Sequence, residues 1–150
     1  MIQDDGDANA GYEVLTTGAG LIDLSSRGLL QLTGEDRVRF LNGQTTNDVA
    51  SLSPGQAVYS AFVNAKGKMR ADGNILAFKD KLWIDAETGC DAALAAALDK
   101  FIIADDVQVE NLTDRMAQFS VLGPKTPELL KKIGMTFPEA PNQFGLMQIK

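Results

Sequence analysis

The chain contains no histidine and a single cysteine, Cys90. Without an imidazole there is no Ser-His-Asp triad, no Cys-His pair and no histidine metal ligand. One cysteine excludes an internal disulfide and any paired-cysteine redox or zinc motif. No apolar run approaches the ~18 residues needed to span a bilayer. The start of the chain, with Asp4, Asp5 and Asp7, lacks the apolar stretch of a signal peptide. A basic field is missing too: 14 Lys and Arg stand against 20 Asp and Glu, a formal charge of −6. Nucleic acid and membrane are therefore not expected partners, and a cytoplasmic location is expected. Chemistry is left to carboxylates, Lys, Tyr or a bound small molecule.

What is present is 150 residues of ordinary globular composition, 45% apolar and 23% charged. That is about one domain, long enough to bury a core. Residues 1–11 read as a disordered acidic tail. Short strands are predicted at Leu21–Leu24 and Gly28–Leu32, then a helix capped by Thr33 and stopped near Gly43. Ala57–Val63, Met69–Phe78 and Leu82–Ala86, separated by Asn64–Gly67 and Asp80-Lys81, predict an antiparallel meander. The Ala-rich stretch Asp91–Ile103 predicts a helix with Leu94, Leu98, Phe101 and Ile102 facing the core. Strands at Val107–Leu112 and Met116–Leu122 and a helix at Pro127–Ile133 follow. The order is neither a βαβ alternation nor all-β, so the expected class is α+β with a mostly antiparallel sheet.

The meander gives the first site hypothesis. Side chains alternate across a strand, so the register of the hairpin decides which residues share a face. A two-residue turn at Ala65-Lys66 or Lys66-Gly67 puts Tyr59 on one face with Arg70, Asp72 and Asn74. That face offers a flat phenol, a carboxylate, a guanidinium and an amide, a set able to hold an N–H-bearing ligand or move a proton. A three-residue turn would place Tyr59 on the other side, and a solvated outer face would carry the same residues. Other candidates are weaker. Gly18-Ala19-Gly20 lacks the strand, the third glycine and the helix of a dinucleotide loop. Cys90 precedes a helix, where a structural role suffices. Lys66, Lys68 and Arg70 could meet an anion or protect a hairpin edge, and Thr45–Asp48 has the composition of a stabilised turn.

Several segments in order resemble one family. The run from Gly34-Glu35-Asp36 through Phe40-Leu41-Asn42-Gly43-Gln44-Thr45-Thr46-Asn47-Asp48-Val49 is similar to the helix and loop of the tetrahydrofolate-dependent YgfZ/GcvT family. Pro54–Tyr59, Asn64–Gly67 and the following Asp72 resemble its next hairpin, and Ile22–Ser25 and Gly123-Pro124 also fit. The resemblance covers about residues 20–133. It implies ferredoxin-like α+β units, with residues 12–150 forming the N-terminal folate-binding region and tetrahydrofolate as the bound molecule. By position, Asp72 matches the carboxylate beside the reactive folate nitrogens, the catalytic residue in the transferases, and Tyr59 matches a pocket residue. With Asn74 and Arg70 these make the expected binding set. Transferases have two adjacent Asp where this chain has Ala71-Asp72, and Lys66-Gly67-Lys68 looks more like the YgfZ branch. The resemblance thus implies first a folate-binding protein supporting iron–sulfur cluster assembly or repair. An aminomethyltransferase, or an interaction module without folate, are the alternatives. A longer chain, or a partner chain supplying a C-terminal half, is expected to complete the site.

Overall fold

The computed structural model describes residues 8–135 and 141–144. It consists of helices α1 (Ala8–Thr17), α2 (Arg37–Asn42), α3 (Asp91–Asp99) and α4 (Thr126–Lys132). Its strands are β1 (Gly20–Asp23), β2 (Gly28–Thr33), β3 (Ala57–Val63), β4 (Met69–Ala77), β5 (Leu82–Ala86), β6 (Gln108–Asn111) and β7 (Phe119–Leu122). Five strands form one sheet in the order β3-β4-β5-β2-β6, and β1 pairs with β7 in a separate ribbon; every pairing is antiparallel. The expected α+β class with antiparallel sheet is what is found.

The large sheet has one apolar face, because its strands alternate. Leu30 and Leu32 of β2, Ile75 of β4 and Leu82 and Ile84 of β5 point inward and are at most 1% exposed. Phe40 and Leu41 of α2 and Leu94 and Leu98 of α3 cover them. The opposite face, open to the outside, carries the candidate residues.

Local chemistry explains where elements begin and end differently from the sequence expectation. Residues 8–11, read as tail, form the first turn of α1; residues 1–7 lie outside the described residues. Thr33 ends β2 instead of capping a helix, because Gly34 at φ 103° turns the chain hard against the Asp106 carbonyl. Asp36 then precedes α2, and its carboxylate accepts the Asp106 N–H at 2.9 Å and pairs with Arg39. Helix α3 stops at Asp99, short of Ile103. Phe101 and Ile103 are 51% and 90% exposed, so only Leu94 and Leu98 of the expected stripe are buried outright, with Ile102 packed at the margin. A 3-10 turn occupies Thr113–Arg115, and the strand expected from Met116 begins only at Phe119.

The loop before β3 is a latch on the sheet's edge strand. Asn42 Oδ1 accepts the amides of Val49 and Ala50 at 2.8 and 3.1 Å. Buried Ser60 Oγ accepts those of Thr46 and Asn47 at 3.2 and 3.1 Å, while Asn47 Nδ2 donates to the Tyr59 carbonyl. The polar run Asn42–Asp48 is thus scaffold that covers an exposed strand edge and fixes the backbone of Tyr59. Ser60→Ala leaves the Asn47 amide without its acceptor, while that of Thr46 keeps the Ala61 carbonyl, and a loss of about 1–3 kcal/mol is expected in urea denaturation. A change below ~0.5 kcal/mol would mean that water replaces the hydroxyl freely.

Candidate functional site

The shared face of β3 and β4 is reached by a route the sequence did not suggest. Five residues, 64–68, separate the strands instead of two. Asn64 N–H donates to the Lys68 carbonyl, Gly67 N–H donates back to the Asn64 carbonyl, and Asn64 Oδ1 accepts the amides of Lys66 and Lys68. A loop of odd length would by itself put Tyr59 on the wrong face. The strand pairing shifts between Phe62–Ala71 and Val63–Met69, so that Arg70 is an extra, bulged residue. The bulge restores the register: Tyr59 stands opposite Asn74, and Ala61 opposite Asp72.

From there Tyr59 reaches diagonally, and its hydroxyl donates to Asp72 Oδ2. The ring itself is 57% exposed, a flat surface beside an occupied carboxylate. This hydrogen bond is the main reason the phenol's pKa is raised, with desolvation and the negative charges of Asp72 and Glu87 adding and Arg27 opposing. The folded value lies above the unfolded one, so the bond's contribution is complete below about pH 10 and lost as pH rises through the folded value. In alkaline titration of the phenolate absorbance, Tyr59, isolated by difference from Tyr59→Phe, should ionise later than an ordinary tyrosine. Asp72→Asn should bring it back down. A midpoint indifferent to Asp72 would remove the carboxylate as its partner.

Asn74 faces the other way along the sheet. Its Nδ2 donates to Asp85 Oδ2 at 3.3 Å, and Asp85 Oδ1 accepts Arg27 Nε at 2.7 Å. Arg27 also reaches Glu87 Oε1 at 2.8 Å, and the bond to Asp85 raises its pKa against the cost of partial burial. Tyr59, Asp72 and Asn74 are therefore brought together, as expected. Arg70 is exposed and makes no ion pair with a described carboxylate, so it is not joined to them. The residues missed were Asp85 and Arg27. Asp85 was legible from the meander, because the alternation of Leu82–Ala86 turns Trp83 and Asp85 outward beside β4. Arg27 was not, because its approach depends on β2 lying against β5, which no local signal announces.

Cys90 sits half-buried at the start of α3 with no cysteine partner. Among the described residues no group of three or more Cys, Asp or Glu could hold a metal ion, and no helix is long and apolar enough to cross a membrane.

Comparison with known proteins gives this geometry a context. The sequence profile of the GCVT N-terminal domain matches residues 5–150. The aminomethyltransferase of Bacillus subtilis is 33% identical over 122 residues, covering 81% of this chain and 34% of that protein. The sarcosine oxidase subunit alpha of a Corynebacterium species is 26% identical over 133 residues, covering 85% of this chain and 14% of that protein. Among solved structures, the glycine cleavage system aminomethyltransferase T of Bartonella henselae superposes with a TM-score of 0.79 at 26% identity, covering 86% of this chain and 36% of that one. The chain thus spans about a third of the length of the aminomethyltransferases it matches.

Proposed function

The chain belongs to the GCVT N-terminal domain family, and from that premise we propose that it binds tetrahydrofolate and forms the N-terminal part of an aminomethyltransferase-like one-carbon transferase. One observation carries the reading: an outward carboxylate, Asp72, held by the Tyr59 hydroxyl beside an exposed aromatic face. That donor set fits a flat, N–H-rich heterocycle. The ring can lie on Tyr59, and the second oxygen of Asp72 is left to accept an N–H.

Tetrahydrofolate supplies the nitrogens that receive the one-carbon unit. Asp72 orients the nitrogens and, as positive charge develops at the carbon, stabilises it with a fixed negative charge. Tyr59 holds the carboxylate in place so that little reorganisation is needed. A segment that completes the site, in the same chain or in a partner, is part of this proposal. So is the cytoplasm as its compartment, which suits an unpaired Cys90.

Calorimetric titration of the chain with tetrahydrofolate tests the reading, and saturable binding that weakens in Asp72→Asn is expected. Absence of binding at millimolar ligand by a chain extended through the segment that completes the site would sink it. A role in iron–sulfur cluster maintenance, the first expectation from sequence, rests on the turn Lys66-Gly67-Lys68 and on Ala71 in place of a second carboxylate. It ranks second because the relatives named above are transferases and an oxidase subunit. Folate binding without any one-carbon transfer from an aminomethylated lipoyl carrier would reverse that order.

A further inference from the structure

The tip of the β3–β4 hairpin gathers Lys66, Lys68 and Arg70, and the nearest carboxylates along the chain are Asp48 and Asp72. All three basic residues are exposed, and none is in an ion pair among the described residues. Several basic groups elsewhere are engaged. Arg27 and Arg39 pair with carboxylates, Arg37 donates to the Gly34 and Lys79 carbonyls, and Lys81 lies over Phe78 and Trp83. An unpaired basic tip on a chain of net charge −6 is a local reversal of sign. Guarding a strand edge does not explain it, because the latch already covers β3 there. Thr45 bridges Phe62, and the Thr46 amide donates to the Ala61 carbonyl.

The tip is also braced and partly apolar. Asn64 Oδ1 accepts the Lys66 and Lys68 amides, and the Gly67 amide donates to the Asn64 carbonyl. With those amides spent, the loop keeps no nest of N–H groups for a phosphate. Val63 and Met69 pair across the strands and are 39% and 59% exposed, with the bulged Arg70 next in the chain. Met and Arg are enriched at protein interfaces, whereas Lys is depleted at their cores, and a preset loop loses little freedom on binding. We propose that this tip docks a protein with an acidic, partly apolar surface. Met69 and Val63 meet the apolar part, and Arg70, Lys66 and Lys68 meet its carboxylates. The negative charge of the rest of the chain turns such a partner toward the tip. That same charge repels nucleic acid, and a lipid-binding patch gathers about 4–8 cations, more than the tip has. Arg70 lies two residues from Asp72 on β4, within ~7 Å along the strand, so the partner stands beside the candidate site. Its docking does not depend on what binds there.

The probe is a fluorescein-labelled synthetic peptide of Glu and Leu, titrated with the whole chain and read by anisotropy beside a Glu-only peptide of equal charge. The Glu and Leu peptide should bind saturably and at least threefold more tightly than the Glu-only one. Its affinity should fall as salt rises, because exposed charges are screened. Reversing the tip, with Lys66→Glu, Lys68→Glu and Arg70→Glu together, should weaken it at least tenfold. Reversing three exposed cations at α4, with Lys125→Glu, Lys131→Glu and Lys132→Glu, changes the net charge equally and should weaken it no more than threefold. Equal losses in the two variants overturn the proposal, because net charge alone would then govern binding. Three results on the wild-type protein overturn it without any variant having to fold. They are no saturable binding at millimolar peptide, a Glu-only peptide that binds as tightly, and a preference for tripolyphosphate or phosphatidylserine vesicles over the peptide. The last would make the tip an anion or membrane site instead.

Discussion

Asp72→Asn is expected to weaken tetrahydrofolate binding about tenfold or more, and to slow one-carbon transfer by about a hundredfold where the completed site supports it. The substitution keeps shape and removes charge. A hydrogen bond to a charged group is worth ~1.5–3 kcal/mol, and each 1.4 kcal/mol is about a factor of ten in affinity. The larger effect on rate follows because a fixed charge aimed at a developing one counts most in the transition state, where losing one preorganised group costs ~10²–10³. Tyr59→Phe makes the informative comparison. It keeps the aromatic face and releases the oxygen that the phenol occupies in the ligand-free protein. Its effect on binding should therefore stay within about threefold, while Tyr59→Ala, which removes the face, should lose about 1 kcal/mol or more. Should Asp72→Asn bind like wild type while Tyr59→Ala does not, the site would be a stacking surface with no part for the carboxylate. Thermal unfolding of each variant separates loss of the site from loss of the fold.

Alternation and turn chemistry made the meander legible to within a residue or two, because each strand there pairs with its sequence neighbour and one register decides all the side chains. The face bearing Tyr59, Asp72 and Asn74 was legible for the same reason, although the turn was misjudged. The Arg70 bulge compensated the longer loop, and a bulge leaves no mark that a lone sequence reveals. Two kinds of information were out of reach. The insertion of β2 between β5 and β6 is a long-range pairing, so Arg27 could not be placed. Helix ends depended on tertiary contacts too. The periodicity of Asp91–Ile103 is real, but Phe101 and Ile103 find no surface to pack on and the helix stops at Asp99. The run Asn42–Asp48 carried much of the family resemblance, yet it serves the fold: Asn42 accepts two backbone amides of the latch over β3, and Asn47 donates to the Tyr59 carbonyl.

The largest effect on the fold is expected at Gly73, in the interior of β4. It lies between Asp72 and Asn74, opposite Ser60 on one side and Ala86 on the other. A methyl group there would sit 2.2 Å from the Asp85 carbonyl oxygen and 2.9 Å from Ala86 Cα. Both obstacles are backbone, so no side-chain rotation relieves the clash and β4 must move away from β5. Overpacking a core costs ~1–3 kcal/mol where side chains can yield; here Gly73→Ala should cost about 3 kcal/mol or more, a large share of the ~5–15 kcal/mol that holds a domain together. Gly67→Ala is the control for backbone conformation alone. That glycine has φ 74° and nothing within 4 Å of an added Cβ, so about 1–2 kcal/mol is expected. Urea midpoints at equal slope give the comparison. Equal losses at the two positions would mean that β4 and β5 are not so closely apposed. The same close approach sets the site, because Asn74 reaches Asp85 only while the strands stay together. Any folded Gly73→Ala protein should therefore lose the Asn74–Asp85 hydrogen bond, while the Tyr59–Asp72 pair, which spans β3 and β4 only, keeps its raised ionisation midpoint.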